Sequence, residues 1–188
     1  AAIEVNLELQ KDLTLKGNAT LRLEGGFNPF WKVAADEKTT VEKLAGEFAS
    51  KILGGAKPAS VRAEILSPSR TVFSFALEGG KAERVGDGFA SLAWPDVPAA
   101  LHGYVPPFHR ETRCTPLRLA GSADATLEMK IALPRDARVR IPPPGVKRGG
   151  PAARVDLQCR EKEGRLEIRG TWRFPKTDVV PEEYEAFR

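Results

Sequence analysis

The amino-acid sequence predicts a mainly β fold, α+β by strict count: an antiparallel β-sandwich-like domain with one amphipathic helix at about residues 40–53. Three observations predict it. Roughly ten short segments alternate apolar and polar residues, the period of a half-buried strand. Gly, Pro and Ser punctuate them at strand-like intervals. One stretch alone repeats its apolar residues at helical spacing.

The elements follow in order. "IEVNLEL" sets Ile3, Val5, Leu7 and Leu9 on one side of a strand. "DLTLKGNATLRLEGG" continues with Leu13 and Leu15, a turn expected at Gly17-Asn18, then Ala19, Leu21 and Leu23. "FNPFWKVAADE" is an aromatic cluster broken by Pro29, which predicts a bend or bulge. In "TTVEKLAGEFASKILGG", Val41, Leu44, Ala45, Phe48, Ile52 and Leu53 share a helical face. Thr39 with Glu42 has the form of a capping box, and Gly54-Gly55 supplies the stop. Gly46 weakens that helix by about 1 kcal/mol relative to Ala.

Further strands are expected in "SVRAEIL", "TVFSFALEG" and "GFASLAWP". The Pro-rich "PDVPAALHGYVPPFHR" places a possible subdomain seam near 95–110, within residues 1–188 as a single region. "TPLRLAG", "ATLEMKIALP" and "ARVRIPP" resume the strand pattern. The last long segment is a hairpin turning around "EKEG", with Val155, Leu157 and Cys159 facing Leu166, Ile168 and Trp172. "DVVPEEYEAFR" then starts a helix at Pro181, with Glu182 and Glu183 where its dipole favours negative charge. Only two turns of it are written, and "AAIEVNLEL" enters a strand almost at once. The expectation is a segment excised from a longer protein.

With 188 residues the chain is long enough to bury a core without metal or disulfide support. Its 41% hydrophobic and 29% charged content is that of a globular protein rather than a disordered one. No apolar run approaches the ~20 residues of a membrane span. Cys114 and Cys159 pair if the fold brings them together, whereas the inward phase of Cys159 suits a buried free thiol.

The net charge of +4 is concentrated: residues 135–176 hold twelve Lys/Arg against five Asp/Glu. Nucleic acid is the obvious partner for such a stretch. Here, however, Arg165, Glu167, Arg169 and Arg173 alternate with Leu166, Ile168 and Trp172, as on a solvated sheet face, and no nucleic-acid motif accompanies them. The sequence therefore points away from nucleic acid.

Chemistry-bearing patterns are sparse. His102 and His109 lie near Cys114, yet "ETRCTPLRL" is extended chain and gives the thiol no helix N-terminus to activate it. The same three residues lack any zinc-ligand spacing, and no phosphate-binding glycine motif is present. Trp31, Trp94 and Trp172 suggest a sugar-stacking platform, against which Trp172 sits on an inward strand phase. No catalytic, cofactor-binding or metal residue is assigned, and no cofactor is expected.

Several segments together resemble the end of bacterial transglutaminase-like multidomain proteins, in which a papain-type core is followed by a β-rich domain of unknown function. They are "FHRETRCTPLRL" (Arg113, Pro116, Leu117), "IALPRDARVRIPP" (Leu133, Pro134, Ile141, Pro142), the hairpin, and "VVPEEYEAFR" (Tyr184, Phe187, Arg188). "GNATLRLEGG" is similar to the strand that opens the region after the core. The resemblance implies a noncatalytic accessory domain, structural or regulatory in role. Its partner would be the preceding core domain of its own chain, which would hold the catalytic Cys, His and Asp. It also implies periplasmic or otherwise exported location. The rival readings are a freestanding carbohydrate-binding or adhesion-type β-sandwich module and a small hydrolase built on Cys114.

Overall fold

The computed structural model describes residues 1–36, 38, 40–53, 55–93, 114–118, 122–140, 142, 144–151, 153–175 and 178–187. Thr39, Gly54, Trp94, His102, His109, Arg113, Ile141, Arg188 and the 95–110 seam lie outside them.

β1 (Ala2–Leu9) and β2 (Thr14–Glu24) form the first hairpin. Its tip is tied by Asp12, whose Oδ1 accepts the Thr14 backbone N–H at 3.0 Å and the Thr14 hydroxyl at 2.6 Å. The turn is thus at residues 10–13, and β2 runs unbroken through Gly17-Asn18, where a turn was expected. Gly17 serves a different purpose. A Cβ there would run into the Asn6 carbonyl and lie 2.8 Å from the Leu7 Cα, so the glycine permits close approach of the β1 backbone.

Beyond β2, a 3-10 turn (Gly25–Phe27) leads into α1 (Phe30–Ala35), a short helix where a bend or bulge was expected. Asn28 explains it. Its Oδ1 accepts the Phe30 N–H at 3.1 Å and the Thr71 hydroxyl at 2.6 Å, while Nδ2 donates to the Ser67 and Pro68 carbonyls. One side chain, just before the Pro29 cap, both accepts the first N–H of α1 and pins the start of that helix to a distant turn.

α2 (Val41–Ile52) is the amphipathic helix the spacing predicts. Its cap is Thr40 rather than Thr39: the Thr40 hydroxyl accepts the Lys43 N–H at 3.3 Å. Glu42 has its carboxyl held below the usual range, first by its own backbone N–H and then by the Thr40 side chain. Ala45, Phe48, Ala49 and Ile52 are buried, with Val41 and Leu44 partly so.

The helix packs on β3 (Lys57–Leu66) and β4 (Arg70–Lys81). β5 (Glu83–Gly86) and β6 (Phe89–Ser91) make a small separate hairpin. β7 (Leu117–Arg118) precedes β8 (Ala123–Ala132), and β9 (Val146–Gly149) follows. The expected strand in "ARVRIPP" is not formed at residues 137–140: the Val139 N–H donates instead to Glu161 Oε2 at 2.9 Å. Prolines just beyond it lack the N–H a ladder needs. β10 (Arg154–Lys162) and β11 (Arg165–Phe174) form the predicted hairpin. Its two-residue turn, Glu163-Gly164, has positive φ at both positions (52° and 71°), the twist that suits antiparallel neighbours. β12 (Asp178–Val179) and α3 (Pro181–Phe187) end the described chain.

The fold is β-rich with few helices, as predicted. Its centre is one mixed eight-stranded sheet, in the order β3-β4-β2-β1-β8-β11-β10-β9. The first four strands come from the N-terminal half and the last four from the C-terminal half. They join where β1 runs parallel to β8; the other described pairings are antiparallel.

Ile3, Leu21, Phe73, Leu127, Ile168 and Trp172 all point to the same face, which with α2 makes one core. Trp172 lies over Gly170, where an added Cβ would strike the indole ring. A second, smaller cluster joins Leu117, Val179 and Tyr184, so β7, β12 and α3 hold one another.

Candidate functional site

Residues suited to chemistry are dispersed. Cys114 is an exposed free thiol and Cys159 a partly buried one, whose ionisation burial pushes up. The two are not joined. Trp172 is core, Trp31 is 66% exposed, and they do not share a platform. Among the described residues, no group of three or more His, Cys, Asp or Glu is placed to hold a metal ion.

What the strands build instead is a broad polar face. Opposite the core, the sheet presents Arg154, Asp156, Gln158, Arg160 and Lys162 on β10, and Arg165, Glu167, Arg169, Thr171 and Arg173 on β11. β8 continues the rungs: Lys130 stands opposite Glu167, Glu128 opposite Arg169 and Asp124 opposite Arg173. These three β8–β11 rungs, and Arg160–Glu167 between β10 and β11, set opposite charges side by side, an arrangement that favours the pairing. The best-formed contact is Arg160–Glu167, where Nη2 lies 2.9 Å and Nε 3.0 Å from the same carboxylate oxygen. The hydrogen bond from Arg160 holds the Glu167 carboxyl below its usual range, with Arg169 and Lys162 adding to the effect. Farther along the face, Arg22 pairs with Glu4 at 2.9 Å.

Two rungs between β10 and β11 break the pattern, and at one of them, beside the turn, Lys162 faces Arg165. Arg154 and Arg173 stand directly across from each other at the open end of the hairpin. They line a shallow groove of about 480 Å³ with Ser122, Ala123, Asp124, Phe174 and Pro175. Sequence reasoning found Arg173 on this face but missed Arg154. The signal was available: centring the turn on Glu163-Gly164 pairs residue 154 with residue 173 by counting outward. A second groove lies at the far end, between the β1–β2 tip and the segment after β8, and is lined by Lys11, Asp12, Lys16, Arg135 and Asp136 among others. Asp12 is already engaged there by Thr14, whose hydroxyl and backbone N–H hold its carboxyl low.

The segments that carry the family resemblance meet in space only in part. Leu117 and Tyr184 share the small cluster, while Leu133 and Pro134 follow β8 at the other end of the sheet.

No curated protein and no solved structure matches the chain. Residues 100–188 match the model of a family described as Domain of Unknown Function with solved-structure structure (DUF3858). That span takes in β7 through α3, and so the four strands on the C-terminal side of the β1–β8 joint, together with the Leu117–Val179–Tyr184 cluster.

Proposed function

We propose that this chain is a noncatalytic accessory region, structural or regulatory, of a bacterial transglutaminase-like multidomain protein. Its partner is a papain-type core that precedes it in the same polypeptide, and the protein is exported. The observation that supports this reading is the packing of Leu117 against Tyr184 and Val179. Two residues from separate stretches of the resemblance serve as a clasp, which is a structural task. The polar sheet face, laced with opposite charges, then supplies area for resting on a neighbouring domain, with long arginine stems adding apolar contact. Nucleic acid is not a partner on this reading.

The coding sequence before Ala1 tests the proposal: a core with Cys, His and Asp supports it, and an unrelated or absent domain sinks it. In the full-length protein, Cys114→Ala and His109→Ala should leave acyl-transfer or peptidase activity intact. A loss as deep as that of a core-cysteine knockout, with the fold retained, would establish the hydrolase reading instead. The exposure of Trp31 favours a second reading, a carbohydrate-binding module. Glycan binding that disappears in Trp31→Ala would establish that one.

A further inference from the structure

Arg154 and Arg173 are like charges on adjacent strands, in the arrangement that destabilises a ladder. Both are exposed, and neither forms an ion pair among the described residues. Asp124 faces Arg173 from β8 without bonding to it. On the same hairpin Arg160 has a carboxylate opposite, Glu167, and Lys162, which faces Arg165, has the Glu163 carboxylate 3.9 Å away. Here the register supplies a second guanidinium and a groove.

We propose that this groove is a clamp for a carboxylate side chain on an acidic protein segment. A guanidinium presents a planar fork that matches a carboxylate through two parallel hydrogen bonds. Two such forks on facing strands can hold one carboxylate between them and relieve their mutual repulsion. Ala123, Phe174 and Pro175 give the groove an apolar wall, useful to a peptide and of no use to a phosphate chain. Asp124 on the same rung and Asp156 on the next one interrupt the positive surface. A continuous phosphodiester would run past both, whereas a single carboxylate has Asp124 alone to avoid, at the Arg173 side of the groove. The clamp goes beyond the accessory-domain reading, since a freestanding module would carry it equally.

Fluorescence anisotropy with a labelled oligoglutamate peptide tests it. Binding should be saturable, and Arg154→Gln and Arg173→Gln should each weaken it roughly tenfold, as expected for loss of a charge-assisted fork. Arg165→Gln and Arg169→Gln, on the same face, should change it less than about twofold if general charge contributes little. Arg173→Lys keeps the charge and the strand but not the fork, and should also weaken binding. Equal losses in all four Gln variants, full affinity in Arg173→Lys, tighter binding of oligothymidylate than of oligoglutamate, or no saturable binding would each overturn the clamp.

Discussion

The next-to-edge strands of the sheet's two halves, β4 and β10, bury their inner faces to different depths. On the N-terminal side α2 lies across β3 and β4, and Phe73, Phe75 and Leu77 fall to 1–2% exposure. On the C-terminal side the inner residues of β10, Val155, Leu157 and Cys159, remain partly exposed. That side compensates in other ways. Trp172 folds over Gly170 to thicken the core, and charges are matched across the outer rungs. The edges differ as well: β3 is twice bulged, with Ser60 at φ 51°, while β9 pairs without interruption. Among the described residues, a helix completes burial over β3 and β4, whereas β10 leans more on its large neighbour Trp172 and on its outer face.

The largest effect should come from the helix-covered side. Phe73→Ala removes a fully buried ring stacked on Phe75 (centroids 6.0 Å apart), and should cost about 4 kcal/mol in urea unfolding. Leu157→Ala, at a partly exposed position, should cost about 1 kcal/mol, because much of its surface already meets water. Equal losses would break the contrast.

Next comes the clasp of β7, β12 and α3, which belongs to neither layer. Leu117→Ala removes one of three buried side chains in a cluster separate from the main core. The loss should be about 2 kcal/mol and local. Hydrogen exchange should therefore quicken in β12 and α3 while amides of β1 and β4 keep their protection. Uniform acceleration through the sheet would show that the two cores unfold together.

Much of this contrast was legible in the sequence. Strict alternation marked β1, β8, β10 and β11 because each has one wet face. The helix was legible from its spacing, though its cap lay one residue later, since adjacent threonines both offer a capping hydroxyl. The prediction erred where a local signal served a remote need. Gly17 looks like a turn residue, but its role is to let β1 approach. Asn28 looks like part of a bend, but it satisfies partners some forty residues away. The parallel β1–β8 joint also left no local mark, because alternation is the same whichever neighbour a strand takes. At the candidate site, the facing of Arg154 and Arg173 was implicit in the turn position alone. The meeting of Leu117 with Tyr184 depends on tertiary packing and was not.

A smaller and opposite effect is expected inside α2. Among the described residues, a Cβ at Gly46 would meet only the Pro58 ring, at 3.9 Å, an ordinary contact. Gly46→Ala should therefore stabilise the protein by about 1 kcal/mol, as helix propensity and unfolded-chain entropy act in the same direction. A higher denaturant midpoint at unchanged slope would confirm that the helix roof tolerates tightening. Destabilisation would mean that α2 sits closer to β3 than this contact implies.

The smallest effect is electrostatic and separates the two hairpin families by mechanism. Asp12, at the β1–β2 tip, is held below its usual pKa first by hydrogen bonds from an uncharged residue, Thr14, with the Lys16 charge the least of the causes. Glu167, on the outer face of β11, is held low by Arg160, with further help from Arg169 and Lys162. Both carboxyls are depressed in the folded state, so both contribute stability above the unfolded carboxylate range, near pH ~4. That contribution is lost as pH falls through the folded values. Salt should part them, because mobile ions screen exposed charges and leave short neutral hydrogen bonds nearly untouched. In a carboxyl NMR titration, raising ionic strength should move Glu167 upward and shift Asp12 less, since only the small Lys16 contribution there is screened. Arg160→Ala should move Glu167 in the same direction, while Arg154→Ala, two rungs removed from any contact with it, should not. If Glu167 ignores both salt and the loss of Arg160, matched charge across the rungs is not what steadies the C-terminal side. The weight then falls on Trp172 and Gly170 alone.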